Sequence, residues 1–125
     1  MKEKIILELL KGVCEYKNID KSDLKKIIGF KISSLYNTGV LVSINKIPVA
    51  WFHYQDRYLG AFIVKKELQG NGLGRKIIYD MFEPGETVGI FMDENPKFWK
   101  SVSSEYVENG FGYGISKIKI NKYVK

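Results

Sequence analysis

The chain has 125 residues, 45% of them apolar and 27% charged, the balance of a globular protein with room for one domain, which argues against intrinsic disorder. A single cysteine, Cys14, excludes an intrachain disulfide, and a single histidine, His53, leaves the usual zinc ligand sets unfilled. Twenty Lys and Arg against fourteen Asp and Glu give a net charge of +6, which favours an anionic ligand or partner without choosing between a nucleotide, RNA and an acidic protein.

No apolar run approaches the roughly 18 residues of a membrane span, and the charged start does not read as a leader. The expectation is one domain over residues 1–125, cytoplasmic, away from membranes and without a metal. Ile6, Leu9, Leu10, Val13 and Cys14 fall at helical spacing and predict a helix over 2–15, with Cys14 in its apolar stripe. A second short helix starts near Asp20 or Ser22, buries Leu24, Ile27 and Ile28, and ends at Gly29.

The period then changes. Val40 to Ile44 and Ile47 to Tyr54 are β-branched and aromatic, with Asn45-Lys46 as a hairpin turn between them. Pro48 suggests that the second strand begins around Val49. Gln55-Asp56-Arg57 reads as the next turn, and Tyr58 to Lys65 as a third strand of an antiparallel meander. Leu73, Ile77, Ile78, Met81 and Phe82 share a helical face that Pro84-Gly85 stops, and Thr87 to Met92 reads as a buried strand. Asn95 and Pro96 are suited to start a helix that carries Trp99, Val102 and Tyr106 and ends at Asn109-Gly110. Phe111 to Val124 closes the chain as one long strand or a short hairpin. Together these predict an α/β or mixed α+β fold, a sheet with helices packed on it.

Between the third strand and the helix lies Gln69-Gly70-Asn71-Gly72-Leu73-Gly74. Alternating glycines let backbone amides turn toward one concavity, and the following helix adds its unpaired N–H groups and the positive end of its dipole. Arg75 and Lys76 stand next to it, so the segment suits a pyrophosphate. A nucleotide P-loop would need Lys and then Ser or Thr after the last glycine, and a dinucleotide fingerprint would need different glycine spacing and a parallel βαβ unit. Neither pattern is met.

These residues resemble the GNAT superfamily of N-acetyltransferases, whose acetyl-CoA signature lies between the fourth strand and the next helix. The lead-in Val64-Lys65-Lys66-Glu67-Leu68 is also similar, and Tyr106-Val107-Glu108-Asn109-Gly110-Phe111 resembles the family's ending of the helix after strand five. The similarity covers about residues 40 to 120. Two departures accompany it: no N-terminal first strand is evident, and Asn95 precedes Tyr106 by one helical turn more than is usual in the family.

The resemblance implies a mainly antiparallel central sheet with helices on both faces, and direct transfer of an acetyl group from acetyl-CoA to an amine. Acetyl-CoA would rest on the amides of Gly70 through Gly74 (Asn71, Gly72 and Leu73 included), with Gln69 and Arg75 at the rim. Its pantetheine arm would lie along Phe62, Ile63 and Val64, within reach of Asn95. Tyr106 would be the general acid that protonates the departing thiolate, and Asp56, His53 or a water would be the base. The acceptor is left open: a small amine, a peptide or protein amine, or an aminoacyl-tRNA. Two other readings stand beside this one. The first is a non-catalytic CoA- or nucleotide-binding module. The second is a basic RNA-binding protein using Trp51, Tyr54 and Tyr58. Monomer and homodimer are both compatible with the sequence.

Overall fold

A computed structural model describes residues 2–27, 37–91 and 95–121. The elements run α1 (Lys2–Lys11), β1 (Cys14–Asp20), α2 (Lys21–Leu24), β2 (Thr38–Ile44), β3 (Ile47–Gln55), β4 (Tyr58–Val64), α3 (Leu73–Met81), β5 (Thr87–Phe91), α4 (Pro96–Ser101), β6 (Ser103–Gly112) and β7 (Ile115–Ile120), with a 3₁₀ turn at Lys66–Leu68. The protein is a mixed α+β fold whose seven strands lie in the order β1-β2-β3-β4-β5-β7-β6. β4 and β5 pair in parallel, and the ladders β1–β2, β2–β3, β5–β7 and β6–β7 are antiparallel. Two compact units divide the chain, Met1–His53 with Phe62–Ile77 and Tyr54–Ala61 with Ile78–Lys125.

In the first unit, α1 is shorter than the pattern predicts. Gly12 N donates to the Leu9 carbonyl and ends the helix. Cys14 then starts β1, where it pairs with Ile44 and is buried, so its apolar character serves a strand instead of the expected helix. The same strand corrects the expectation that an N-terminal first strand is missing. α2 follows at the predicted place and buries Leu24 completely, while Ile27 lies beyond its end and is half-buried. Ile28 and Gly29 fall outside the described residues.

The β2–β3 hairpin turns at Asn45-Lys46, both at positive φ (54° and 64°). That is the two-residue turn whose twist matches its strands. β3 starts at Ile47, two residues before the expected Val49. Pro48 pairs with Ser43 at a register shift in β2, where the missing N–H is tolerated. Val42, Ile44, Val49, Ala50 and Trp51 have no exposed surface and form this unit's core with Ile6, Leu9, Leu73 and Ile77.

In the second unit, Asp56 and Arg57 (φ 53° and 69°) make the turn into β4. Leu59, Ile78, Phe82, Val88, Ile90, Trp99, Val102, Ile118 and Ile120 are buried, so most of the predicted α3 stripe is core. The main correction lies after α4. Asn95 caps this helix as expected, its Oδ1 accepting from Phe98 N at 3.3 Å, with Pro96 in the first turn. The helix ends at Ser101, not at Asn109-Gly110. Ser101 Oγ donates to the Phe98 carbonyl at 2.6 Å and Ser103 Oγ to the Trp99 carbonyl, which satisfies acceptors that a longer helix would have bonded itself.

Ser103–Gly112 is therefore strand β6. Tyr106 lies opposite Ile118, and the closing hairpin spans β6 and β7 with its turn at Tyr113-Gly114. No described helix is long and apolar enough to cross a membrane.

Candidate functional site

The glycine-rich segment lies wholly in the first unit, at the junction between β4 and α3. Lys65 N donates to the Val49 carbonyl at 2.8 Å and prolongs the strand contact by one residue. The chain then makes one 3₁₀ turn, closed by Leu68 N to the Lys65 carbonyl at 2.8 Å, and the buried Leu68 side chain pins it to the core. Gly70 and Gly72 sit at φ 80° and 85°, where a side chain would be strained. A Cβ built on Gly70 meets nothing within 4 Å. The space above the loop backbone is open.

The first one-turn bond of α3 runs from Lys76 N to the Gly72 carbonyl. The amides of Leu73, Gly74 and Arg75 thus have no carbonyl one turn earlier within the helix. The first turn holds no acidic residue, Arg75 is exposed and Lys76 half-buried. Left-handed glycines leading into a helix start make a concavity of N–H groups, with the positive helix end beneath them. Such a surface is suited in size and charge to an anion such as phosphate. Lys66 is exposed in the lead-in, and Lys65, largely covered, is paired with Glu67 at 3.3 Å.

Two side chains fix the loop from within. Asn71 Nδ2 donates to the carbonyls of Gln69 (3.0 Å) and Leu68 (3.3 Å). Gln69 Nε2 donates to the Val64 carbonyl at 2.8 Å. The family resemblance puts Gln69 at the rim of the site, and its amide turns back to the end of β4. The internal bonds of Asn71 were not foreseen either; Asn and Gln next to positive-φ glycines were the available signal.

The remaining predicted residues fall as follows. Phe62, Ile63 and Val64 are half-buried at the end of β4, in the same unit as the loop. His53, also in that unit, places Nδ1 3.2 Å from the Thr38 carbonyl. Asp56, Asn95 and Tyr106 belong to the second unit. Asp56 is exposed in its turn, and Asn95 is engaged as a helix cap. Tyr106 is half-buried on β6, its ring 5.3 Å from Lys100 Nζ. Trp51 is fully buried and Tyr54 and Tyr58 are half-buried, so the three do not form the exposed aromatic surface that an RNA reading expects. Among the described residues, no group of three or more His, Cys, Asp or Glu is placed to hold a metal ion. A cavity of about 290 Å³ lined by Lys17, Asn18, Ile19, Asp20, Asp23 and Thr38 shares no residue with the glycine loop.

No protein-family model matches the chain, and comparison with curated proteins and with solved structures gives no match either.

Proposed function

We propose that the protein is an N-acetyltransferase that binds acetyl-CoA on Gln69–Gly74 and the start of α3 and transfers the acetyl group directly to an amine. The observation that carries this reading is the pair of left-handed glycines at the mouth of a helix whose first turn is free of acidic residues. It is an anion seat in the chain context that the GNAT resemblance requires. β1 supports the reading too, because with it the signature follows the fourth strand. The pantetheine arm would run along the end of β4 at Phe62–Val64, in the same unit as the loop.

In this mechanism the loop amides and Arg75 hold the diphosphate, and the strand end orients the thioester. The amine, once a base has taken its proton, attacks the carbonyl carbon; the tetrahedral adduct collapses with loss of the C–S bond, and the CoA thiolate takes up a proton from the acid. Tyr106 and Asp56 are the residues to substitute in testing the acid and the base.

A second reading has its own support. Tyr106 was carried over from a family motif on a helix, and here it lies on β6. A CoA-binding module without transferase activity fits that difference. The discriminating experiment follows release of free thiol from acetyl-CoA with a panel of small amines, amino acids, peptides and aminoacyl-tRNA. Turnover that falls at least tenfold in Tyr106→Phe supports the enzyme with Tyr106 as its acid. Binding of acetyl-CoA without turnover on any acceptor supports the module.

A further inference from the structure

The bonds that shape the glycine loop differ in reach. Asn71 Nδ2 ties the carbonyls of Leu68 and Gln69, three and two residues back, and so acts inside the loop. The buried Leu68 side chain fixes the 3₁₀ turn beneath it. The 2.8 Å bond from Gln69 Nε2 to the Val64 carbonyl instead spans five residues and joins the loop to the last residue of β4. It does so from an exposed position, where an uncommitted glutamine amide would stay in water. Gln69 is anchored at both ends, by its side chain to the strand and by its backbone carbonyl to Asn71.

The inference rests on the acetyl-CoA reading of this loop. A ligand with a diphosphate at one end and a pantetheine arm beyond it must touch both the loop and the strand end. The separation of those two surfaces then sets how well both halves bind at once. We propose that Gln69 is a positioning residue that holds the diphosphate seat of Gly70–Gly74 in register with the pantetheine track of Phe62–Val64. It needs no contact with the ligand. Its contribution is preorganisation, felt by a ligand long enough to use both surfaces and not by one confined to the loop.

The test uses the full chain and two probes that share the adenosine 5′-diphosphate, dephospho-CoA and ADP, the first carrying the pantetheine arm on its terminal phosphate, titrated calorimetrically. Gln69→Met keeps the side chain's length and removes its donor. The inference expects dephospho-CoA to bind about five-fold more weakly and ADP to change by less than about two-fold, the loss of one neutral hydrogen bond expressed only in the spanning ligand. Gln69→Arg, which keeps an N–H donor of sufficient reach, should restore the affinity ratio of the two probes. Equal losses for both probes would overturn the inference and make Gln69 a local loop brace. No loss for either, or no restoration by arginine, would overturn it as well. Wild-type protein that binds neither probe would sink the acetyl-CoA reading itself, and this inference with it, before any variant is made.

Discussion

Gly72→Ala separates the backbone demand of the loop from its role in binding. The residue sits at φ 85°, and a Cβ added there meets only Leu10 Cδ2 at 3.9 Å, an ordinary contact. No packing clash enters, so the cost is that of holding an L-residue in the left-handed region, about 1–2 kcal/mol. Alanine also narrows the unfolded ensemble, which here adds to the folded state's relative stability and offsets up to about 1 kcal/mol. The net loss is on the order of 1 kcal/mol, a fall in Tm of about 3–6 °C for a domain of this size. Scanning calorimetry without ligand measures it. Gly72→Asn should lose less, because asparagine enters the left-handed region more readily. In the alanine variant acetyl-CoA affinity should also fall at least about tenfold, because the methyl group occupies space a phosphate oxygen needs beside the loop amides. An unchanged or raised Tm would show that Gly72 is not held at positive φ. A drop beyond about 10 °C would show a crowded site where the structure has an open one.

Packing, titration and helix capping can each be tested by a single substitution. A Cβ on Gly39 would clash with Cε2 and Nε1 of the Trp51 indole, so Gly39→Ala should cost about 1–3 kcal/mol. Trp51→Phe should recover much of this in a double-mutant cycle measured by urea unfolding, and strict additivity would refute the contact. Tyr54 has its pKa raised above 10.0, first by burial and then by Glu86, against a smaller opposing effect of Arg57. The unfolded chain loses that proton first, so stability should fall as pH rises above about 10 and toward the folded value. Tyr54→Phe should flatten that part of the profile, and an unaltered slope in the variant would count against the shift. Asn95→Ala removes the cap bond to Phe98 N and should cost about 1 kcal/mol, with Asn95→Asp close to wild type; equal Tm values for all three proteins would mean that the cap contributes nothing.

What the sequence made legible was what local signals encode. The two-residue turns at Asn45-Lys46 and Asp56-Arg57, the α3 stripe from Leu73 to Phe82 and the Asn95-Pro96 helix start are local signals, and each is found where the pattern puts it. β1 was invisible because Glu15-Tyr16-Lys17-Asn18 is exposed along an edge strand; pairing with β2, not alternation, defines it. Trp99, Val102 and Tyr106 do fit a helical stripe. Beyond Ser101 the pairing of Tyr106 with Ile118 and of Val107 with Lys117 prevails over that periodicity. Tertiary context thus decided the element that held the proposed acid. The glycine loop was readable because glycine spacing states its backbone requirement directly. The inward turn of Gln69 depends on where Val64 ends its strand, which composition does not encode.

Acetyl-CoA binding on the loop of Gln69–Gly74 is what the proposed function stands on. The most direct measurement is thermal unfolding of the wild-type protein titrated with acetyl-CoA, with NAD and ATP run in parallel. At about 100 times its dissociation constant, acetyl-CoA should add roughly 2.7 kcal/mol of stability and raise Tm by several degrees, with smaller rises for the two controls. No rise with acetyl-CoA, or an equal rise with NAD, would show that the loop does not take acetyl-CoA specifically.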